Sequence, residues 1–195
     1  DMIQALENNA RSLGAATLKM CLIKRVNDAF NDIFSVLERL AWDPPQLTSY
    51  IINCEDYKQT FSKLPWYNYK LSPNYAIVNW KDRTDAQVKQ METLDREDHG
   101  GDTYYSPFLE QDDVYVPGTF LLTYKDEVAG WIISRRLPSG VIFRYRLYLR
   151  PAFRKPGKAS ALISESCKGQ IADGDPNLIS KFSIDASNPA LLRFY

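Results

Sequence analysis

The 195-residue sequence is poor in the residues that build disulfide frameworks and metal sites. It has three cysteines, Cys21, Cys54 and Cys167, which lie far apart in the chain, and a single histidine, His99. An odd and dispersed set of cysteines without neighbouring histidines argues against a disulfide scaffold and against a zinc site. We therefore expect no metal and a reducing compartment, the cytoplasm.

The chain also lacks an excess of charge and a long apolar run. Lysine plus arginine equals aspartate plus glutamate at 24 each, so no global field attracts nucleic acid or an anionic membrane. No apolar stretch approaches the length of a transmembrane helix, and the first residues show no signal-peptide pattern. We expect neither nucleic acid nor a membrane as a partner, and any anion site must be local.

The most informative stretch reads as a strand, a basic glycine turn and a helix. With 45% apolar residues the chain can bury one full core or two small ones. Over residues 141–149 the side chains alternate with the period of a strand. One predicted face carries Val141, Phe143, Tyr145, Leu147 and Leu149, and the other carries Ile142, Arg144, Arg146 and Tyr148. Pro151 ends the strand.

The turn that follows has the features of an anion site. Pro156 suits a first helical turn, and Gly157 lets another group approach the backbone closely. The helix is predicted from small or apolar residues at helical spacing, which are Ala159, Leu162, Ile163, Ser166 and Cys167. Unpaired N–H groups at a helix N-terminus, with the positive end of the dipole behind them, bind phosphate. The alternative is a solvated basic loop, with Arg150, Arg154, Lys155 and Lys158 as its charges.

Local signals predict the remaining elements. Helices are expected at residues 2–13, from 27 or 28 to 40, at 57–64, from 84 or 85 to 94, and from 187 or 188 onward. Strands are expected at residues 15–23, 47–53, 75–80, 120–124, 128–134 and 179–185. Lys125-Asp126-Glu127 marks a hairpin, and residues 95–113 read as an acidic loop.

The order helix, strand and capped helix occurs twice, at residues 2–40 and 157–195. The two capped helices begin with Asn27-Asp28-Ala29 and Asn188-Pro189-Ala190, and each ends its eight-residue match in an aromatic residue. Chance similarity of two helix starts is the alternative explanation.

The spacing of Arg154, Gly157 and Ala159 after a strand resembles the pyrophosphate loop of the GNAT superfamily of acyl-CoA-dependent N-acyltransferases. With the order of elements, residues 74–195 resemble the GNAT fold. That fold is α/β, with a mixed, mostly antiparallel central sheet flanked by helices. Residues 2–53 resemble the back half of a second such unit. The resemblance thus implies a tandem GNAT protein, with a degenerate unit plus connector at 1–70, and a GNAT domain lacking its final strands at 71–195.

The resemblance implies an N-acetyltransferase that transfers acetyl from acetyl-CoA to a primary amine by direct attack. Tyr195 would donate a proton to the departing thiolate. The implied coenzyme A-binding residues are Leu147, Tyr148, Leu149, Arg154, Lys155, Pro156, Gly157, Lys158, Ala159 and Asn188. The acceptor would be a small-molecule or peptide amine.

Several alternatives stay open. Asn188 also fits a simple helix cap, Tyr195 also fits a core aromatic, and no general base is evident. The acidic loop around His99 fits either a solvated surface or a site for a cationic amine. The chain could instead be a non-catalytic acyl-CoA-binding or protein-interaction module. A third alternative, similarity to aminoacyl-tRNA-dependent peptidoglycan transferases, is disfavoured by the zero net charge and the CoA-type loop. A homodimer stays open.

Overall fold

The computed structural model describes residues 2–14, 31–44, 46, 48–54, 56–99, 106–109, 111–175 and 178–185. The helices and strands, in chain order, are α1 Met2–Ser12, α2 Asn31–Arg39, β1 Ser49–Cys54, α3 Tyr57–Ser62, β2 Tyr75–Asn79, α4 Asp85–His99, β3 Phe120–Tyr124, β4 Glu127–Arg136, β5 Val141–Leu149, α5 Lys158–Asp173 and β6 Ile179–Asp185. Within the described ranges, no helix has the length and apolarity to cross a lipid bilayer.

The chain divides into two compact units, Asp1–Gln46 and Leu47–Tyr195. In the first unit, the Trp42 indole donates to the Glu7 carboxylate, and the Trp42 N–H donates to the Leu37 carbonyl over 3.0 Å. The strand predicted at residues 15–23 lies outside the described residues. The sequence repeat suggested a second GNAT-like unit and a domain boundary near Leu71, and both stay predictions.

The second unit contains a six-stranded sheet in the order β1-β6-β5-β4-β3-β2. Four of its five strand pairs are antiparallel, and β5 with β6 is the parallel one. The prediction of a mixed, mostly antiparallel sheet flanked by helices is therefore confirmed. The parallel pair lies in the interior of the sheet, where α5 makes the crossover from β5 to β6.

Two short sequence signals fix local structure as predicted. Lys125 and Asp126 have positive φ angles of 49° and 70° between β3 and β4, which is the two-residue turn whose twist matches a hairpin. Thr84 begins α4 in a reciprocal capping box: its Oγ1 accepts from Gln87 N–H at 3.2 Å, and its own N–H donates to the Gln87 side chain at 2.9 Å.

Helix α4 is longer than the pattern of apolar residues predicts. The expected loop over residues 95–113 is wrong at its start, because the helix continues to His99. Leu94 is the last core position of α4, and the four residues after it are charged. Such residues can extend a helix from a packed first part without adding to the core.

Both faces of the sheet are covered. Trp80 and Met91 pack with Trp131 on the α4 face, whereas Phe61 and Leu162 belong to the core on the face of α3 and α5. Each large apolar side chain buried in this way contributes about 1.5–3 kcal/mol. The second of these cores includes Leu162 and Ile163 of α5, and it holds that helix, with the basic turn that precedes it, against the sheet.

Candidate functional site

The two parallel central strands separate in the middle of the sheet. Strands β5 and β6 pair over only four residues each, and the last pair is Arg144 with Phe182. Beyond it, β6 pairs with β1 up to Asp185, while β5 continues to Leu149 and pairs with β4. Among the described residues, the β6-facing backbone edge of β5 therefore has no strand partner after Arg144. An extended molecule that carries amide groups can hydrogen-bond to such an edge.

A β-bulge lies where the strands separate. On β4, Ile133 pairs with Arg146 and Ser134 pairs with Arg144, so Tyr145 has no partner in the register. The predicted strict alternation over residues 141–149 is therefore wrong at this residue. Ile142 packs in the α5-side core together with Leu147, although the two are five positions apart and strict alternation would place them on opposite faces. The extra residue bends β5, and each residue after it lies on the opposite face from the one that strict alternation predicts.

Arg144 closes the base of this opening. Its Nε donates to Ser166 Oγ over 3.0 Å, its Nη2 donates to Gln170 Oε1 over 2.6 Å, and its Nη1 donates to Ser180 Oγ. Its guanidinium carbon lies 5.2 Å from the Phe61 ring centre and 4.8 Å from that of Phe182. A planar cation with five donors can satisfy itself in this way in a buried place. One side chain thus joins β5, β6 and α5 at the last β5–β6 pair.

Sequence reasoning places Arg144 on a strand face but does not identify this cluster. The available signal was the spacing of Ser166 and Gln170, which are one helical turn apart on the inner side of α5. Two buried polar side chains at that spacing require a polar partner.

The chain after β5 leads into the positive end of α5. Arg154 Nε donates to the Leu149 carbonyl over 2.9 Å, which joins the turn to the end of the strand. Gly157 has a φ of +83° and is the N-cap of α5. Within the described part of the chain, the N–H groups of Gly157, Ala159 and Ser160 meet no backbone acceptor. Pro156 lies before the N-cap, so its predicted place in the first helical turn is wrong.

The cations around the turn differ in what they contact. Arg150 donates to the Val128 carbonyl over 3.2 Å, and Lys158 Nζ lies 4.1 Å from the centre of the Tyr75 ring. Arg154 and Lys155 are exposed beside the helix N-terminus. Their positive charge adds to that of the unpaired N–H groups, so the turn can hold an anion.

Tyr69 is a neighbour of the turn that the sequence does not reveal. A Cβ atom placed on Gly157 would lie 2.0 Å from Tyr69 Cζ. The close approach that we predicted at Gly157 is therefore made, in this structure, by an aromatic ring of the same chain.

The predicted site residues come together in part. Leu147, Tyr148 and Leu149 lie on the diverging part of β5, and the residues from Arg154 to Ala159 form the turn beside its end. The Tyr148 side chain is buried on the α4 face, with its ring centre 4.4 Å from that of Trp131. Only the backbone of Tyr148 can therefore contribute to this opening. Asn188 and Tyr195 lie outside the described residues, and their roles stay predictions.

The buried thiols near Arg144 are not activated. Burial raises the pKa of Cys167 to about 11, although Arg144 opposes this effect. Burial also raises the pKa of Cys54. Both are free thiols, and a raised pKa keeps them protonated and poorly nucleophilic. Among the described residues, no group of histidine, cysteine, aspartate and glutamate side chains could hold a metal ion.

Comparison with solved structures identifies the fold. A GCN5-related N-acetyltransferase from Sphaerobacter thermophilus aligns over 83% of this chain with a TM-score of 0.56 at 12% identity, and the chain spans 49% of that protein. Arabidopsis thaliana Naa50, in complex with the bisubstrate analogue CoA-Ac-MVNAL, aligns over 63% of this chain and 80% of its own, with a TM-score of 0.45 at 18% identity. A GCN5-related N-acetyltransferase from Kribbella flavida aligns over 70% and 47% of the two chains, with a TM-score of 0.43 at 12% identity.

No protein-family model matches the chain, and no curated protein matches it. The alignment with the Sphaerobacter protein, together with the central sheet and its helices, therefore shows that this chain has the GNAT fold.

Proposed function

We propose that the protein is an acyl-CoA-dependent N-acyltransferase that transfers acetyl from acetyl-CoA to a primary amine. One observation carries this proposal: β5 separates from β6 after Arg144, and the continuing strand leads to the unpaired N–H groups at the start of α5. An acyl-CoA combines an extended arm containing amides with a pyrophosphate. The opening suits the first part, and the basic turn suits the second.

Each part of the site has a defined task in this proposal. The backbone of Leu147, Tyr148 and Leu149 pairs with the amide-containing arm. The N–H groups of Gly157 and Ala159 hold the pyrophosphate, supported by charges that Arg154, Lys155 and Lys158 supply. Pro156 fixes φ at its own position in the turn, and Asn188 would order the start of the helix that the sequence predicts from residue 187 or 188 onward.

Acyl-CoA supplies the thioester whose acyl carbon accepts the amine. A new C–N bond forms as the C–S bond breaks, and the departing sulfur needs a proton while the amine loses one. Tyr195 gives its phenolic proton to that sulfur in our proposal, water carries away the proton of the amine, and the phenolate then regains a proton from water. The site so described needs no metal and no covalent enzyme intermediate.

The tandem arrangement, the acceptor and the cellular compartment are further proposals, each supported by a different observation. The repeat of helix starts supports a tandem arrangement with a degenerate unit at 1–70. The acceptor is proposed to be a small-molecule or peptide amine. The free thiols Cys54 and Cys167 support a reducing compartment, for which we propose the cytoplasm.

Charge reversal at Lys155 tests the anion site. Lys155 is exposed beside the unpaired N–H groups, and one unit of charge at close range in water is worth about 1 kcal/mol. Because Lys155→Glu changes the charge by two units, we expect it to weaken CoA binding by about 2 kcal/mol, or about 30-fold. The matched control is Lys81→Glu. Lys81 is also exposed, but it follows the Asn79 end of β2, whereas Tyr75, which lies near Lys158, is at the other end of that strand. Equal affinities for the two variants would contradict the proposed anion site.

Turnover requires a separate measurement. CoA release from acetyl-CoA is followed with a panel of amines and peptides, for the wild type and for Tyr195→Phe. We expect a lower rate with unchanged CoA affinity in the variant, because only the proton donor is lost. Binding without release of CoA for every amine would support the non-catalytic alternative instead.

A further inference from the structure

Tyr69 lies directly against the turn that we propose to bind pyrophosphate. Its hydroxyl oxygen is 3.5 Å from the Pro156 carbonyl oxygen. A Cβ atom on Gly157 would lie 2.0 Å from Tyr69 Cζ and 2.5 Å from Cε1, closer than any real side chain could come. Because 3.5 Å is long for an O–H···O hydrogen bond, the contact of the ring with the backbone is the main interaction.

The position of the ring determines which side of the turn stays open. In a trans peptide unit, the N–H of Gly157 points opposite to the C=O of Pro156. The Tyr69 hydroxyl lies beside that carbonyl oxygen. Tyr69 therefore covers the carbonyl side of the peptide and leaves the N–H of Gly157 directed away from its own ring.

The segment that carries Tyr69 is itself fixed to α5. The Tyr67 carbonyl accepts a hydrogen bond from Ser164 Oγ in the middle of that helix, and the Tyr69 N–H donates to the Trp66 carbonyl over 3.1 Å. Trp66 and Phe61 are buried in the core that α5 shares. The ring thus approaches the start of α5 from a support attached to the same helix, so the two move little relative to each other.

We propose that Tyr69 is a positioning residue for the anion-binding turn. By covering one side of the Pro156–Gly157 peptide, it holds the N–H groups at the start of α5 toward the bound pyrophosphate. This inference rests on the proposed function, since it assigns the anion of acyl-CoA as the ligand. It also gives Gly157 a second reason to be glycine, besides its left-handed backbone.

The test compares three variants in the full chain. Tyr69→Ala removes the ring, and Tyr69→Phe keeps the ring but removes the hydroxyl. Tyr50→Ala is the control, because Tyr50 on β1 is 42% exposed and Tyr69 is 41% exposed. CoA affinity is measured by titration calorimetry. Amide hydrogen exchange over residues 154–163 reports on the turn without any ligand.

We expect Tyr69→Ala to weaken CoA binding by at least about tenfold, since the loss of one hydrogen bond to a charged group costs roughly tenfold to 100-fold in affinity. Tyr69→Phe should bind nearly as well as the wild type, and Tyr50→Ala should be unchanged. Exchange at the turn should be faster in Tyr69→Ala only. Unchanged affinity in Tyr69→Ala would overturn the positioning role.

Failure of the proposed function has a different signature. In that case the wild type does not bind CoA, and the exchange data alone decide on Tyr69. Faster exchange in Tyr69→Ala would then support its hold on the turn, and unchanged exchange would overturn it.

Discussion

Gly157→Ala should destabilise the protein for two separable reasons. The φ of +83° lies in the left-handed region, which costs a residue with a Cβ about 1–2 kcal/mol. The new methyl group would also lie 2.0 Å from Tyr69 Cζ, so the ring must move. The clash is with the outer end of a ring that is 41% exposed and can swing aside, so it adds about 1 kcal/mol, the low end of the cost of overpacking. The sum is a loss of about 2–3 kcal/mol in the free energy of unfolding.

A double-mutant cycle with Tyr69→Ala separates the two terms. When the ring is absent, Gly157→Ala should cost only the backbone term of about 1–2 kcal/mol. The control is Gly174→Ala at the other end of α5, where φ is +75° and the nearest atom to the new Cβ is 3.9 Å away. Its cost should be the backbone term alone, with or without Tyr69.

Urea unfolding followed by circular dichroism gives these free energies of unfolding from the midpoint urea concentrations, with one m-value shared by all variants. We predict a coupling of about 1 kcal/mol between Gly157 and Tyr69. A coupling between Gly174 and Tyr69 should stay below about 0.5 kcal/mol, as for distant sites. If the Gly157 pair were equally additive, the close contact between the ring and the turn would be refuted.

Three further predictions concern the core. Gly169→Ala should lower the free energy of unfolding by at least about 3 kcal/mol, because its Cβ would lie 1.6 Å from the Pro117 carbonyl oxygen, which is backbone and cannot rotate away. Urea unfolding should show a larger loss than for Gly174→Ala, and an equal loss would contradict this. Arg144→Lys should cost about 2–4 kcal/mol in the same assay, because an ammonium cannot reach Ser166, Ser180 and Gln170 together, and a neutral result would show that the cluster is dispensable. The pKa of Cys167 in the folded protein is raised from 9.0 to about 11. The contribution of this thiol to the free energy of unfolding is therefore fully present below pH 9 and is lost as pH rises toward 11. Relative to Cys167→Ala, the wild type should lose about 2 kcal/mol over that interval, and parallel curves would contradict the raised pKa.

Local chemistry made part of the fold predictable. The turn at Lys125 and Asp126, and the cap at Thr84, depend on residues within a few positions of one another. The strand, glycine turn and helix of the candidate site are equally local, and the structure forms them in the predicted order. Such signals are readable because the physical partners are neighbours in the sequence.

The remainder depends on partners that are distant in the chain. Tyr69 and Pro156 are 87 positions apart, and no local pattern relates them. The bulge at Tyr145 arises from the register with β4, so the alternation within β5 alone could not reveal it. The contacts of Arg144 likewise require α5 and β6 to be in place.

The most direct test of the central claim is titration calorimetry of the full chain with acetyl-CoA and CoA, for the wild type, Lys155→Glu and Lys81→Glu. We predict micromolar binding by the wild type and by Lys81→Glu, weakened about 30-fold in Lys155→Glu. Gly157 is avoided here because any side chain at that position would meet Tyr69. Absence of binding by the wild type, or equal affinity of the two variants, would contradict the assignment of this opening and its turn as an acyl-CoA site.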